Sequence, residues 1–200
     1  TKMFYSILKF SIPILPAVIS AQVIDLSDRI FIEKFLSTEE LGIYSLAYSL
    51  AALVLVFTSS FKKAYDPYFY KIANTKDKVN AKYILKKTNT IYYLATIFLC
   101  FSIALVSREI IGLFFNDLYY SSYRVVPIIC LAYAIHKISG LINLSFYQNK
   151  NTVLMMNIAI TSAILNLLLN FVLIPKYGYF GAAYATLFTY LFVSVEIPEE

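Results

Sequence analysis

The chain has 200 residues, 60% of them hydrophobic and 14% charged, with a formal net charge of +5 and a mean hydropathy of +0.68. Soluble domains run at roughly 45–50% apolar and 25% charged, so this composition leaves too little polar surface to cover a globule in water. The basic surplus does not read as a nucleic-acid surface either, because most of the lysines are gathered in one segment between two apolar runs.

Charge-free runs occupy residues 41–61, 88–107, 151–175 and 177–195. About 20 helical residues at 1.5 Å each cross a hydrocarbon core of roughly 30 Å. The runs are continuously apolar rather than alternating, which favours helices over barrel strands. Six spans are predicted, at 10–32, 41–66, 88–107, 125–147, 152–174 and 180–195. The fold class is therefore an all-α integral membrane protein, a six-transmembrane-helix bundle. Lys2 and Lys9 precede the first apolar stretch, but Pro13, Pro16, Asp25 and Asp28 interrupt it, so it reads as a span and not a signal peptide. Ser37-Thr38-Glu39-Glu40 marks a helix start, with an N-cap and acids in the first turn. Pro175 and Gly178 close the fifth span.

With the N-terminus inside, the inner segments hold eleven Lys and Arg and the outer segments hold Arg29, Lys34, Arg108, Arg124 and Lys176, with Lys137 left in the membrane. Lysine and arginine accumulate on the cytoplasmic side, so both termini are expected in the cytoplasm. Eight lysines fall in segment 62–87, which reads as a basic cytoplasmic loop near anionic lipid. It is either simply solvated or contains a short amphipathic surface helix around Val79, Tyr83 and Ile84.

Two spans are not simply apolar. In the first, Gln22, Asp25 and Arg29 share a helical face at offsets of three, four and seven, with Asp28 beside them. In the fourth, Tyr133, His136, Lys137, Gly140, Asn143 and Tyr147 form another stripe. Lys137 falls near mid-membrane, where a charge costs at least ~2.5–3.5 kcal/mol on insertion scales, and so needs a polar cavity or a partner. Ser162, Asn166 and Asn170 on the fifth span recur every fourth residue and are expected to join helices, as are Gly181 and Ala185 on the sixth. Pro13, Pro16 and Pro127 are expected to kink or unwind their spans. Interrupted helices with polar faces are what a transport pathway requires.

No phosphate loop, HExxH or nucleophile-elbow pattern is present. With one histidine and two cysteines, both cysteines inside apolar runs, neither a catalytic triad nor a metal site is expected, and no cofactor is implied.

Residues 10–16 (FSIPILP), 26–32 (LSDRIFI) and 40–48 (ELGIYSLAY), followed by 65–68 (YDPY), 147–149 (YQN) and 173–186 (LIPKYGYFGAAYAT), resemble the bacterial polysaccharide-export and O-antigen repeat-unit flippases of the multidrug/oligosaccharidyl-lipid/polysaccharide exporter superfamily. The resemblance covers nearly the whole chain. It implies a two-lobe transporter of six helices per lobe in the bacterial cytoplasmic membrane. Its implied activity is flipping of undecaprenyl-diphosphate-linked oligosaccharide for cell-surface polysaccharide. The opening motif resembles the start of the second lobe, so the chain is expected to be one lobe, with the first lobe as missing partner. Polysaccharide assembly proteins are further expected partners.

On that basis Lys137 and Arg29 are expected to neutralise the diphosphate. His136, Asn143 and Gln22 would bind the sugar or diphosphate, and Asp25 or Asp28 would carry a coupling proton or sodium or hold Arg29 in a pair. The alternatives are a drug/cation antiporter of the same superfamily, whose cavity acids dominate, and a non-transporting membrane component of polysaccharide assembly. A membrane polymerase or ligase would need a large basic outer loop, which the spacing of spans does not allow.

Overall fold

The computed structural model describes residues 8, 11–75, 77–148 and 152–195; the side chains of residues 73, 78 and 139–148 lie outside that description. The described segments comprise α1 (Ile14–Phe35), α2 (Thr38–Ala73), α3 (Lys78–Phe114), a 3-10 helix η1 (Asp117–Arg124), α4 (Val126–Gln148), α5 (Thr152–Tyr177) and α6 (Tyr179–Val195). Each predicted span overlaps one of the helices α1 to α6.

Local chemistry explains the boundaries. Ser37 caps α2, accepting from the Glu40 amide at 3.2 Å, with Glu39 and Glu40 in the first turn, where acids complement the helix dipole. Asp77 caps α3 in the same way, accepting from Asn80 N at 3.0 Å, and Asn116 caps η1 through Leu118 N at 3.0 Å. Gly178 adopts φ +61° between α5 and α6, a left-handed turn conformation in which glycine carries no Cβ penalty. Pro175 is accommodated inside the last turn of α5, which runs on to Tyr177.

One expectation holds and one changes. The prolines fall where the helices are interrupted or bent, as expected: residues 12–13 form a turn between helical Ser11 and α1. Pro13 is the N-cap residue of α1 and Pro16 lies in its first turn, where a missing amide hydrogen is not required. Pro127 is the second residue of α4, just after a 44° bend between η1 and α4. Segment 62–87 is not a loop: α2 continues to Ala73 and α3 starts at Lys78. Lys62, Lys63, Lys71, Lys82, Lys86 and Lys87 therefore lie on two helix extensions. With 36 residues, α2 is about 54 Å long, far more than a hydrocarbon core requires.

The chain turns much of its apolar surface outward. Leu15 (66%), Phe98 (73%) and Phe171 (60%) are exposed on three different helices, a pattern that water would penalise and lipid accepts. By length and apolar composition, α2, α3 and α5 qualify as membrane crossings, and η1 with α4 makes a fourth if the bent pair is one span. The other two are narrower cases. Asp25, Asp28 and Arg29 interrupt α1, and α6 has 17 residues. The chain is thus a helical multi-pass membrane protein in which three or four crossings are marked by hydrophobicity alone.

The interior is built from small and aromatic residues. Tyr44, Ala47, Ala51 and Val54 of α2 pack against Ile129, Cys130, Ala132 and Tyr133 of α4 and against Ala182 and Ala183 of α6. Small residues permit close backbone approach without a hydrophobic drive between helices. Gly181 shows the limit: a Cβ placed on it would lie 2.3 Å from Leu173 O and 2.5 Å from its carbonyl carbon.

Candidate functional site

Pairwise contacts fix the directions of the helices around the site. Ser27 and Asp28 of α1 meet Asn166 and Asn170 of α5 in the same order, and Phe35 lies 5.9 Å from Phe171, so α1 and α5 run parallel. Tyr44 and Tyr48 of α2 meet Asp28 and Asp25, so α2 runs antiparallel to α1. Thr186 meets Asp28 while Thr189 meets Asn166, so α6 is antiparallel as well. The bundle therefore has one end near the α1–α2 turn and another near the basic α2–α3 hairpin.

In the half nearer the α1–α2 turn the interior is closed by a polar network. Asp28 is 1% exposed. Its carboxylate accepts from Tyr44 Oη at 2.5 Å, Thr186 Oγ1 at 2.7 Å and Asn170 Nδ2 at 2.7 Å. Ser27 Oγ donates to Asn166 Oδ1 at 2.7 Å, and Asn166 Nδ2 donates to Thr189 Oγ1 at 3.3 Å. Four helices, α1, α2, α5 and α6, thus share one buried carboxylate. An unpaired charge at such a depth would be prohibitive, and three aimed donors are what make it tolerable.

Toward the hairpin end the same helices and α4 part around a cavity of about 360 Å³. Asp25, Tyr133, His136, Lys137, Ser162 and Tyr190 supply its polar wall, and Ile14, Val18, Leu55, Met155 and Ile158 its apolar wall. Tyr48 Oη donates to Asp25 Oδ1 at 3.0 Å. The His136 ring stacks on Tyr190, with centroids 4.2 Å apart and planes 18° apart. His136 Nδ1 is buried without a hydrogen-bond partner, and so is Asn170 Oδ1 in the network. Lys137 shares the cavity with Asp25 without joining it in an ion pair; among the described residues the ion pair is Lys62–Asp66. A confined ammonium, a carboxylate and free hydrogen-bonding atoms on an apolar background suit an amphiphilic ligand with a charged, polyhydroxylated head.

The structure brings Asp25, His136 and Lys137 to one cavity and buries Asp28 one turn beyond it. It does not bring Gln22 or Arg29 there. Both are exposed, and the Arg29 guanidinium instead lies 5.3 Å from the centroid of the Tyr48 ring. Asp28 is held by neutral donors, not by Arg29. The Asn143 side chain lies outside the described residues. The stripe of Asn166 and Asn170 does join helices. Sequence reasoning missed Tyr44, Tyr48, Thr186 and Tyr190, which lie in apolar runs; their spacing opposite the α1 acids was the available signal.

Comparisons with known proteins agree with this architecture. The model of the MatE family matches residues 13–172. A curated relative, described as a probable low-salt glycan biosynthesis flippase, Agl15, of Haloferax volcanii, is 24% identical over 159 residues. That alignment covers 80% of this chain and 34% of the relative, so the chain spans about a third of the length of the protein it matches. No solved structure matches the chain. A helical membrane bundle with polar residues at its centre, matched by one family model over most of its length, belongs to the MatE family.

Proposed function

We propose that this chain forms one six-helix lobe of a transporter that flips a lipid-linked, diphosphate-bearing oligosaccharide across the membrane for cell-surface glycan synthesis. The observation that carries the reading is the cavity wall on α4, where Lys137 presents a confined ammonium beside the stacked His136 and the Tyr133 hydroxyl. Away from bulk water an ammonium attracts a phosphoryl oxygen more strongly than at a surface. The apolar wall offers the start of a polyprenyl chain a surface continuous with lipid. The family match and the glycan-flippase relative support the same reading.

The step is translocation by alternating access, without a covalent change in the substrate. Asp28 is the proposed coupling carboxylate. Its donors come from α2, α5 and α6, so a proton or sodium bound to this α1 carboxylate would alter contacts among four helices together. Arg29 is assigned to the rim and not to the phosphate. The basic hairpin, and with it the cavity, is placed on the cytoplasmic side, with a second lobe completing the path.

A second reading, a drug/cation antiporter, is favoured by Asp25, which lines the same cavity. Two variants separate them. Lys137→Gln in the full-length protein is expected to reduce glycan export at least tenfold, with Asp25→Asn milder. Strong loss with Asp25→Asn, normal glycan export with Lys137→Gln and cation efflux by the wild type would reverse the assignment.

A further inference from the structure

A shallow groove of about 410 Å³ on the outer face of α3 is lined by Tyr83, Lys86, Lys87, Thr90 and Ile91. It lies away from the cavity, on the surface of the basic hairpin. Its position along the helix is informative: Lys86 and Lys87 immediately precede the charge-free run 88–107. The groove therefore straddles the level at which hydrocarbon gives way to headgroups. Tyr83 at its upper edge is 66% exposed, and Val79 one turn above is 85% exposed.

Below the groove an apolar track continues along the same face. Ile91, Leu94, Phe98, Phe101 and Leu105 are 57%, 63%, 73%, 63% and 60% exposed. Their steps of three and four residues keep them on one side of the helix. The fourteen steps from Ile91 to Leu105 rise about 21 Å, comparable to an extended acyl chain. The opposite face, with Tyr92, Thr96 and Cys100, is buried in the bundle. The track is thus the outer surface of the lobe, not a seam between its helices.

The geometry points to a binding site for an anionic phospholipid, with the headgroup phosphate between Lys86 and Lys87 and one acyl chain along Ile91–Leu105. Charge complementarity decides the occupant. Lys86, Lys87 and Tyr83 line one groove at the level where a phosphate lies in the bilayer. Around them, segment 62–87 carries eight lysines against Asp66 and Asp77. Surface potential alone attracts anionic lipid at about 1 kcal/mol per basic residue. A groove adds site selectivity, because the two lysines adjoining the track act with it while lysines elsewhere on the hairpin do not.

The test uses the purified full chain in nanodiscs of phosphatidylcholine containing one-fifth phosphatidylglycerol, with lipid retention read by native mass spectrometry. Retention of phosphatidylglycerol over phosphatidylcholine is expected. Lys86→Gln/Lys87→Gln should weaken it about tenfold and Phe98→Ala severalfold. The charge-matched control Lys71→Gln/Lys82→Gln should stay within twofold of wild type. Equal loss in the two double variants would reduce the effect to diffuse charge and overturn the site. Retention confined to an added polyprenyl diphosphate, or cross-linking of two copies through Phe98, would overturn the phospholipid assignment. None of these readouts depends on glycan export, so they stand or fall apart from the Lys137 test.

Discussion

Replacing Asp28 separates the network's structural contribution from its coupling role. Its carboxylate is 1% exposed and takes three hydrogen bonds, from Tyr44, Thr186 and Asn170. Asp28→Leu removes both acceptor oxygens and leaves three buried donors facing a hydrocarbon branch. Each stranded donor costs about 1–3 kcal/mol. Thr186 has an escape, because it can turn to the backbone carbonyl four residues earlier, as Thr189 does at 2.8 Å. With Tyr44 and Asn170 left stranded, the expected destabilisation is therefore roughly 2–6 kcal/mol. Asp28→Asn keeps the shape and one acceptor, and the two hydroxyls can reorient to accept from its amide. Losing the charge assistance costs about 1–2 kcal/mol. At about 2–4 °C per kcal/mol for a chain of this size, the two variants should differ by several degrees in Tm. Cys100 and Cys130 are buried free thiols, so a thiol-reactive dye added to the purified full chain reports unfolding directly. If the leucine variant melts with the asparagine variant, the network does not hold the helices together. If the asparagine variant folds and exports at the wild-type rate, Asp28 is not the coupling group.

Other outcomes follow from the same contacts. Gly181→Ala places a methyl carbon 2.3 Å from Leu173 O, so α5 and α6 must separate, at about 1–3 kcal/mol; Gly112→Ala meets only the Tyr120 ring, at 3.4 Å, and should melt within a degree or two of wild type. Asp66→Asn breaks an ion pair of 2.8 Å whose side chains are 45% and 34% exposed, and should change stability by less than about 0.5 kcal/mol in a denaturant or thermal series. For sidedness, a cysteine at Thr75, in the α2–α3 turn, should react with an impermeant maleimide only in inside-out vesicles, and one at Asn116 only in right-side-out vesicles. The reverse pattern would invert the proposed orientation.

The helices were legible because long apolar runs carry their own signature, and Ser37 and Gly178 mark their ends in ordinary helix-boundary chemistry. What the runs could not convey is where helices stop once they leave the apolar stretch. Segment 62–87 is rich in lysine, which is a good helix former when solvated, so a basic composition read as loop is in fact two helix extensions. The prolines were legible as interruptions, because a ring without an amide hydrogen favours helix starts and breaks: Pro13 sits in the turn before α1 and Pro127 beside the 44° bend between η1 and α4. At the site, α1 periodicity placed Gln22, Asp25 and Arg29 on one face, but a face is not a depth. Packing turns Asp28 inward and leaves Arg29 over Tyr48 at the surface. The hydroxyls that hold Asp28 belong to tyrosine and threonine within hydrophobic runs, where nothing local distinguishes a hydrogen-bonding residue from one that merely packs.

The order of groups along the bundle bears on how such a lobe would work. Moving from the α1–α2 turn toward the hairpin, one meets Asp28 with its three donors, then Asp25 with Tyr48, then the cavity at His136 and Lys137. Asp28 and Asp25 are three residues apart on one helix, so whatever perturbs the first is transmitted to the wall of the cavity through less than one turn of α1. Thr189 and Tyr190 make the same link on α6: the former belongs to the network and the latter carries the stacked His136. Two helices therefore run from the closed half into the cavity, each with a network residue and a cavity residue within one turn. If occupancy of Asp28 governs the cavity, Thr189→Val should alter the environment of His136, and a ¹⁵N-histidine spectrum of the full chain would show it. An unchanged His136 resonance in a folded Thr189→Val protein would mean that the two halves are mechanically independent, and Asp28 would then be a fastening and not a trigger.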